Sequence, residues 1–187
     1  MLTDKDGLNI SQRNVTVSTC GLAPEIKRLA EENLQITLAL SLHAALDEKR
    51  KKLMPVAARY SIAQLMDACR YYFEKTGRRI TFEYSLIGGV NDSDEDARLL
   101  AHLARPLRCH VNLIPVNPVK EREFERSDPG RIRAFQNQLE KYKINGTIRR
   151  EMGRDIDGAC GQLRRRVMSQ TAQTLEEMKR VKDVFHH

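Results

Sequence analysis

The sequence contains no run approaching the roughly 20 apolar residues of a membrane-spanning helix. Its N-terminus also lacks the basic-then-apolar pattern of a secretory signal. These absences lead us to expect a soluble, cytoplasmic protein with no membrane partner. Cysteine is sparse: Cys20, Cys69, Cys109 and Cys160 lie far apart, with no C-x-x-C pair and no nearby His at zinc-ligand spacing. That spacing argues against a local metal site, and in the cytoplasm each thiol is reduced, either a small core residue or a reactive group. There is no internal repeat, no low-complexity linker, and no Gly-rich phosphate loop at a helix start.

What is present suffices for a core. A chain of 187 residues with 41% hydrophobic content is sized for one domain or most of one. The formal charge of +7 is uneven, with ten Lys or Arg against six acids in residues 143–187. Such a basic tail suits a polyanion such as RNA, through phosphate contacts and counterion release, although many basic proteins bind no nucleic acid.

Residues 15–19, 36–42, 80–86, 110–115 and the short 146–150 are rich in Val, Ile, Leu, Phe and Thr and predict strands. Helical patterns alternate with them. Residues 24–32 carry Pro in the first turn, and 61–76 open on Ser61 and Gln64 as a capping box and stop at Gly77. In the latter helix Ile62, Leu65, Met66, Cys69 and Phe73 form one stripe, which reads Cys69 as core. Residues 94–105 turn Ala97, Leu100 and Leu103 inward, and 129–142, capped by Asp128, turn Ile132, Phe135 and Leu139 inward. A terminal amphipathic helix runs from Leu163 through Phe185.

Alternating strands and helices predict an α/β fold, a parallel sheet with outer helices, whose ligands sit beyond the C-terminal strand ends. Polar residues gather there: Ser18 and Thr19 on the first strand, Ser41 and His43 on the second, Glu83 and Tyr84 late in the third, and Asn117 after the fourth. The connection 116–128, Pro-containing and charged, reads as a surface loop near a site.

Four segments stand in a specific order: Val17-Ser18-Thr19-Cys20-Gly21, Ser41-Leu42-His43-Ala44, Asn112-Leu113-Ile114-Pro115-Val116-Asn117-Pro118 and Asp155-Ile156-Asp157-Gly158-Ala159-Cys160-Gly161-Gln162-Leu163. With Thr81-Phe82-Glu83-Tyr84 and Gly89-Val90-Asn91-Asp92, this ordered set resembles the RlmN and Cfr group of radical S-adenosylmethionine enzymes, which methylate adenines of 23S ribosomal RNA and, for some members, transfer RNA. The resemblance covers residues 8–166 and implies the C-terminal part of a radical-SAM partial (β/α) barrel there, with residues 167–187 as a terminal amphipathic helix or tail. It implies S-adenosylmethionine binding by Ser18, by Ser41, Leu42 and His43, and by Asn117. A Ser hydroxyl, an exposed strand terminus and an Asn amide supply donors and acceptors that a zwitterionic methionine and a ribose need. Without the resemblance, Ser18 caps the following turn and His43 fills the barrel mouth.

Cys160 matches the family's methyl-carrying cysteine. A thiolate attacks a methylsulfonium well, and the resulting thioether methyl can give up a hydrogen atom. The resemblance implies methylation at adenine C2, an aromatic carbon that ordinary polar transfer does not serve; the sister activity at C8 shares these motifs. None of Cys20, Cys69 or Cys109 matches the second, resolving cysteine. Arg149, Arg150 and Arg154 precede Cys160 and Arg164, Arg165 and Arg166 follow it, a cluster suited to RNA phosphates or to solvent.

The family's 4Fe-4S cluster is held by a C-x-x-x-C-x-x-C loop, and this sequence contains none, leaving iron without a ligand set here. The isolated chain is therefore expected not to cleave S-adenosylmethionine, and a missing N-terminal half is an expected partner. The alternative is an inactive RNA-binding remnant. Exposed strand edges predict self-association unless a partner covers them.

Overall fold

In the computed structural model, which describes residues 2–107, 109–116 and 124–149, the β-branched runs become strands and the capped runs become helices, with at least one helix between each strand and the next. The elements are β1 (Thr16–Thr19), α1 (Ala23–Glu31), β2 (Thr37–Ser41), α2 (Asp47–Leu53), α3 (Ile62–Thr76), β3 (Ile80–Leu86), α4 (Asp94–Ala104), β4 (His110–Pro115), α5 (Pro129–Lys141) and β5 (Gly146–Ile148). Among the described residues the five strands form one sheet in sequence order, with every neighbouring pair parallel. The α/β reading therefore holds. The described residues through Arg149 belong to one compact unit; the expected boundary at 166/167, the terminal helix, Cys160 and Asn117 lie outside them.

Period-two burial along β3 and β4 separates the two faces of the sheet. Ile80, Phe82, Tyr84 and Leu86 are fully buried, as are Val111 and Leu113, while Thr81, Glu83, Ser85, Asn112 and Ile114 between them are only half-buried. The core cluster takes only the first set and joins it to Ile26 of α1, Leu65 and Cys69 of α3, Leu100 of α4 and Phe135 of α5. Tyr84 and Phe135 meet with ring centroids 5.4 Å apart, a tilted arrangement favoured by the aromatic quadrupole. Tyr84 is thus a core residue, and of the expected Glu83 and Tyr84 pair only Glu83 lies on the polar face.

The helix ends follow from their caps. At α3 the Gln64 N–H donates to Ser61 Oγ at 3.3 Å and Ser61 N–H to Gln64 Oε1 at 2.9 Å, and Gly77 closes the helix at φ 63°. Asp128 caps α5 by accepting from Gly130 N–H at 2.7 Å and Arg131 N–H at 3.3 Å. Within α3, Tyr72 rather than Phe73 takes the fully buried place, because its hydroxyl reaches the Ile36 carbonyl at 2.9 Å and so satisfies its polar end. Leu103 of α4 is likewise only partly buried, with Ala101 and Ala104 filling the inner line.

Helix α2 was not expected. Its sequence, Asp-Glu-Lys-Arg-Lys-Lys-Leu, has no apolar period, and the residue it buries is Arg50.

Candidate functional site

Parallel register sets the polar face in rows. Ser18 of β1 stands level with Ala39 of β2 and, through it, with Thr81 of β3 and His110 of β4. One step towards the C-terminal ends lies the row Ser41, Glu83, Asn112 and Thr147. Residues paired in register point to the same side of a sheet, and these positions are offset by one from the buried Leu40, Phe82 and Val111. Ser18 and Ser41, two of the expected ligand residues, thus share one polar face at neighbouring strand ends. Sequence reading noticed Glu83 but assigned it no part; its place in the middle of that row becomes visible once the register is known.

Beyond Ser41 the chain turns abruptly. Leu42 and His43 both donate their backbone N–H to the Glu83 carbonyl, at 3.0 and 3.3 Å, and Ala44 N–H bonds back to the Leu42 carbonyl at 2.8 Å. Two donors on one acceptor end the ladder, which is why β2 stops at Ser41 rather than at residue 42. Leu42 is fully buried and contributes packing and backbone to the site. His43 adopts φ 58°, a left-handed conformation that a side chain with a Cβ rarely takes. Its Nδ1 accepts from Ser85 N–H at 3.1 Å, and its carbonyl accepts from Asn91 Nδ2 at 2.7 Å. Burial, reinforced by the Arg50 charge, pushes the His43 ring down to about 4, so it is neutral at physiological pH.

Arg50 carries the outer side of this corner. It has no exposed surface, and its guanidinium donates Nη2–H to the Cys20 carbonyl at 2.8 Å and Nε–H to the Leu42 carbonyl at 3.1 Å. Weaker contacts at 3.5 Å reach the carbonyls of Tyr60 and Ser41. A planar fork of five donors matches several carbonyls at once, which the single ammonium of Lys cannot do. Asp47, which accepts the Ile62 N–H at 2.8 Å, supplies the favourable charge nearby. Gly21 adjoins the clamp with φ +102°, and a Cβ there would meet Arg50 Nη2 at 3.0 Å and a Leu65 methyl at 3.0 Å.

The loop after β3 closes the inner side. Asn91, fully buried, takes the Ile87 N–H on its Oδ1 at 2.8 Å and donates Nδ2 to both His43 and Ser85 carbonyls at 2.7 Å. Asp92 accepts from Gly89 N–H at 3.1 Å, holding the tight turn whose Gly89 sits at φ 68°. An isolated antiparallel bridge between Ile87 and Arg126 returns the 116–128 connection to this end of the sheet. Lys49 of α2 pairs with the buried Asp96 of α4 at 2.7 Å, tying the two helices beside the site.

The thiols divide clearly. Cys69 and Cys109 are buried and burial raises both to about 12, so neither is a nucleophile at neutral pH. Cys20 is exposed at the end of β1. Among the described residues no cluster of His, Cys, Asp or Glu could hold a metal ion, and no helix is long and apolar enough to cross a membrane.

No protein-family model matches the chain. It is 62% identical over 168 residues to a probable dual-specificity RNA methyltransferase RlmN of Lachnospira eligens, a match covering 90% of this chain and 48% of that protein. A probable dual-specificity RNA methyltransferase RlmN of Clostridium perfringens is 60% identical over 159 residues, covering 85% of this chain and 46% of that protein. Among solved structures, a radical SAM methyltransferase from Sphaerobacter thermophilus superposes with a TM-score of 0.82 at 51% identity, covering 86% of this chain and 47% of that one. A domain of pyruvate-formate lyase-activating enzyme from Bacteroides vulgatus superposes with a TM-score of 0.57 at 16% identity, covering 72% of this chain and 80% of that one, a likeness of fold alone. The chain spans about half the length of the curated relatives it matches. Along about nine tenths of its length the chain is thus similar to part of the proteins named RlmN and, in both sequence and fold, to part of a radical SAM methyltransferase.

Proposed function

We propose that this chain is the portion of an RNA adenine-C2 methyltransferase that binds S-adenosylmethionine and carries the transferred methyl group on Cys160. The observation that carries the reading is the polar face at the strand ends, with Ser18 and Ser41 on neighbouring strands one step apart in register, Glu83 and Asn112 continuing the Ser41 row, and His43 fixed just beyond. Hydroxyls, a carboxylate, a carboxamide and a neutral imidazole form a mixed donor and acceptor surface that fits an amino acid joined to a nucleoside. In this reading Asn117, which follows β4, joins the same ligand, and the catalytic core runs over 8–166.

When bound, S-adenosylmethionine supplies the methyl group and, together with a 4Fe-4S cluster, the one-electron chemistry that methylation of an aromatic carbon requires. The cluster's ligands lie outside this sequence, which has no C-x-x-x-C-x-x-C motif. This chain's own residues bind and orient: Ser18 and Ser41 by their hydroxyls, His43 as a neutral donor, Cys160 as the sulfur nucleophile. Arg149, Arg150, Arg154 and Arg164 to Arg166 hold phosphates of the RNA, a 23S ribosomal RNA with transfer RNA as second substrate, in the cytoplasm.

The test combines this chain with a separately expressed N-terminal half carrying the cluster motif, reconstituted with iron and sulfide without oxygen. Methyl transfer to ribosomal RNA at adenine C2 is expected, and its loss in Cys160→Ala. Methylation at C8 would move the chain to the sister activity. Salt-sensitive RNA binding with no methyl transfer and no S-adenosylmethionine binding would refute the reading in favour of an RNA-binding remnant.

A further inference from the structure

His43 holds a left-handed backbone at φ 58°, a conformation that is unfavourable for a non-glycine residue and persists only where its surroundings overdetermine it. The surroundings here are three bonds to one strand and its loop. His43 N–H reaches the Glu83 carbonyl, His43 Nδ1 receives the Ser85 N–H at 3.1 Å, and the His43 carbonyl receives Asn91 Nδ2 at 2.7 Å. Asn91 is itself held on all sides. Its second Nδ2 bond goes to the Ser85 carbonyl, its Oδ1 takes the Ile87 N–H, and its own carbonyl takes the Tyr84 hydroxyl at 2.8 Å. Both partners of Nδ2 are carbonyls and the partner of Oδ1 is an N–H, so the carboxamide has one orientation without repulsion.

The ring's chemistry follows from its one hydrogen-bond partner among the described residues, the Ser85 N–H. A backbone N–H can only donate, so Nδ1 bears no proton and the neutral imidazole carries its proton on Nε2. Among the described residues Nε2 has no hydrogen-bond partner. We propose that Asn91 is a positioning residue acting through His43: by holding the left-handed His43 backbone against β3, it presets the imidazole as an Nε2–H donor for an acceptor atom of a nucleoside-type ligand. The ligand half of this proposal rests on reading Ser41 to His43 as S-adenosylmethionine contacts.

The experiment is long-range proton–nitrogen correlation of the histidine rings in the nitrogen-15-labelled 187-residue chain, with the His43 signals assigned by their loss in His43→Gln. The wild type is expected to show His43 as the pure Nε2–H tautomer. Asn91→Asp keeps the shape and the Ile87 bond but turns both donors into an acceptor facing two carbonyls, and is expected to give mixed His43 tautomers in a folded chain. Tyr84→Phe removes only the hydroxyl holding the Asn91 carbonyl, and is expected to move the same signals in the same direction should the first variant fail to fold. An Nδ1–H ring in the wild type, or wild-type ring signals in either folded variant, overturns the proposal. Added S-adenosylmethionine should shift the wild-type Nε2–H signal, with apparent affinity about tenfold weaker in Asn91→Asp, roughly one lost hydrogen bond. Expected tautomers with no response to S-adenosylmethionine overturn the cofactor reading instead, and leave the action of Asn91 on His43 supported.

Discussion

Arg50 reaches from α2 to the carbonyl of Cys20, 2.8 Å away at the end of β1, and so ties a helix with no apolar stripe to the strand three elements before it. Among the described residues no carboxylate lies within ion-pair distance of this buried cation; its charge is solvated by backbone carbonyls. Removing it strips several buried acceptors of their donor at once. Arg50→Ala is expected to lower stability by at least about 3 kcal/mol, and Arg50→Lys, with one ammonium for several carbonyls, by about half as much. Urea unfolding midpoints at constant m-value check both, and near-wild-type stability of Arg50→Ala would contradict the clamp.

Gly21 is the clamp's neighbour. Gly21→Ala meets both a positive φ and contacts of 3.0 Å to Arg50 and Leu65, so a loss of about 1–3 kcal/mol is expected by the same measurement. A neutral result would mean that the corner relaxes freely.

His43 makes stability depend on pH. Its folded value of about 4 lies below the ordinary 6.5, so between these values the unfolded chain binds a proton that the folded chain refuses. The contribution is fully present above pH 6.5 and is lost as pH falls through 4, up to about 3 kcal/mol. The difference in stability between wild type and His43→Gln, followed from pH 7 to 4, isolates it; an unchanging difference would show that the ring titrates normally.

Lys49 covers the Asp96 carboxylate, which also caps α4 through Ser93 and whose side chain is 2% exposed. Lys49→Met leaves that carboxylate buried beside its cap alone, and a loss of about 1–3 kcal/mol is expected in thermal unfolding. An effect below about 0.5 kcal/mol would place the pair among ordinary surface bridges.

Thiol reactivity should sort by burial. Brief alkylation of the native chain near pH 8 is expected to label Cys20, with Cys69 and Cys109 modified only on unfolding, as read by peptide mass spectrometry. Native labelling of Cys69 at a rate matching Cys20 would show that α3 opens readily.

Strands and capped helices were legible because their signals are local. The capping box of Ser61 and Gln64, the Gly77 stop and the Asp128 cap each depend on residues within a few positions, and each appears as read. Helix α2 was not legible, since its inward residue is Arg50 and a period search looks for apolar side chains. Tyr72 displaced Phe73 for a partner 36 positions away, the Ile36 carbonyl, which no window of helical length contains. At the site, Ser18, Ser41 and His43 could be picked out by their place at strand ends. The supporting pair could not: Arg50 and Asn91 act through backbone carbonyls of Cys20, Leu42, His43 and Ser85, and a carbonyl has no letter in a sequence.

The sheet's first strand has a neighbour on one side only among the described residues, and Ser18 sits on it, exposed. A strand added in register along that free edge would set its own side chains level with Ser18 and enlarge the same polar floor. Assembly along the edge and occupancy of the floor would then be thermodynamically linked: whatever factor by which the added strand tightens the ligand, the ligand returns to the hold on that strand.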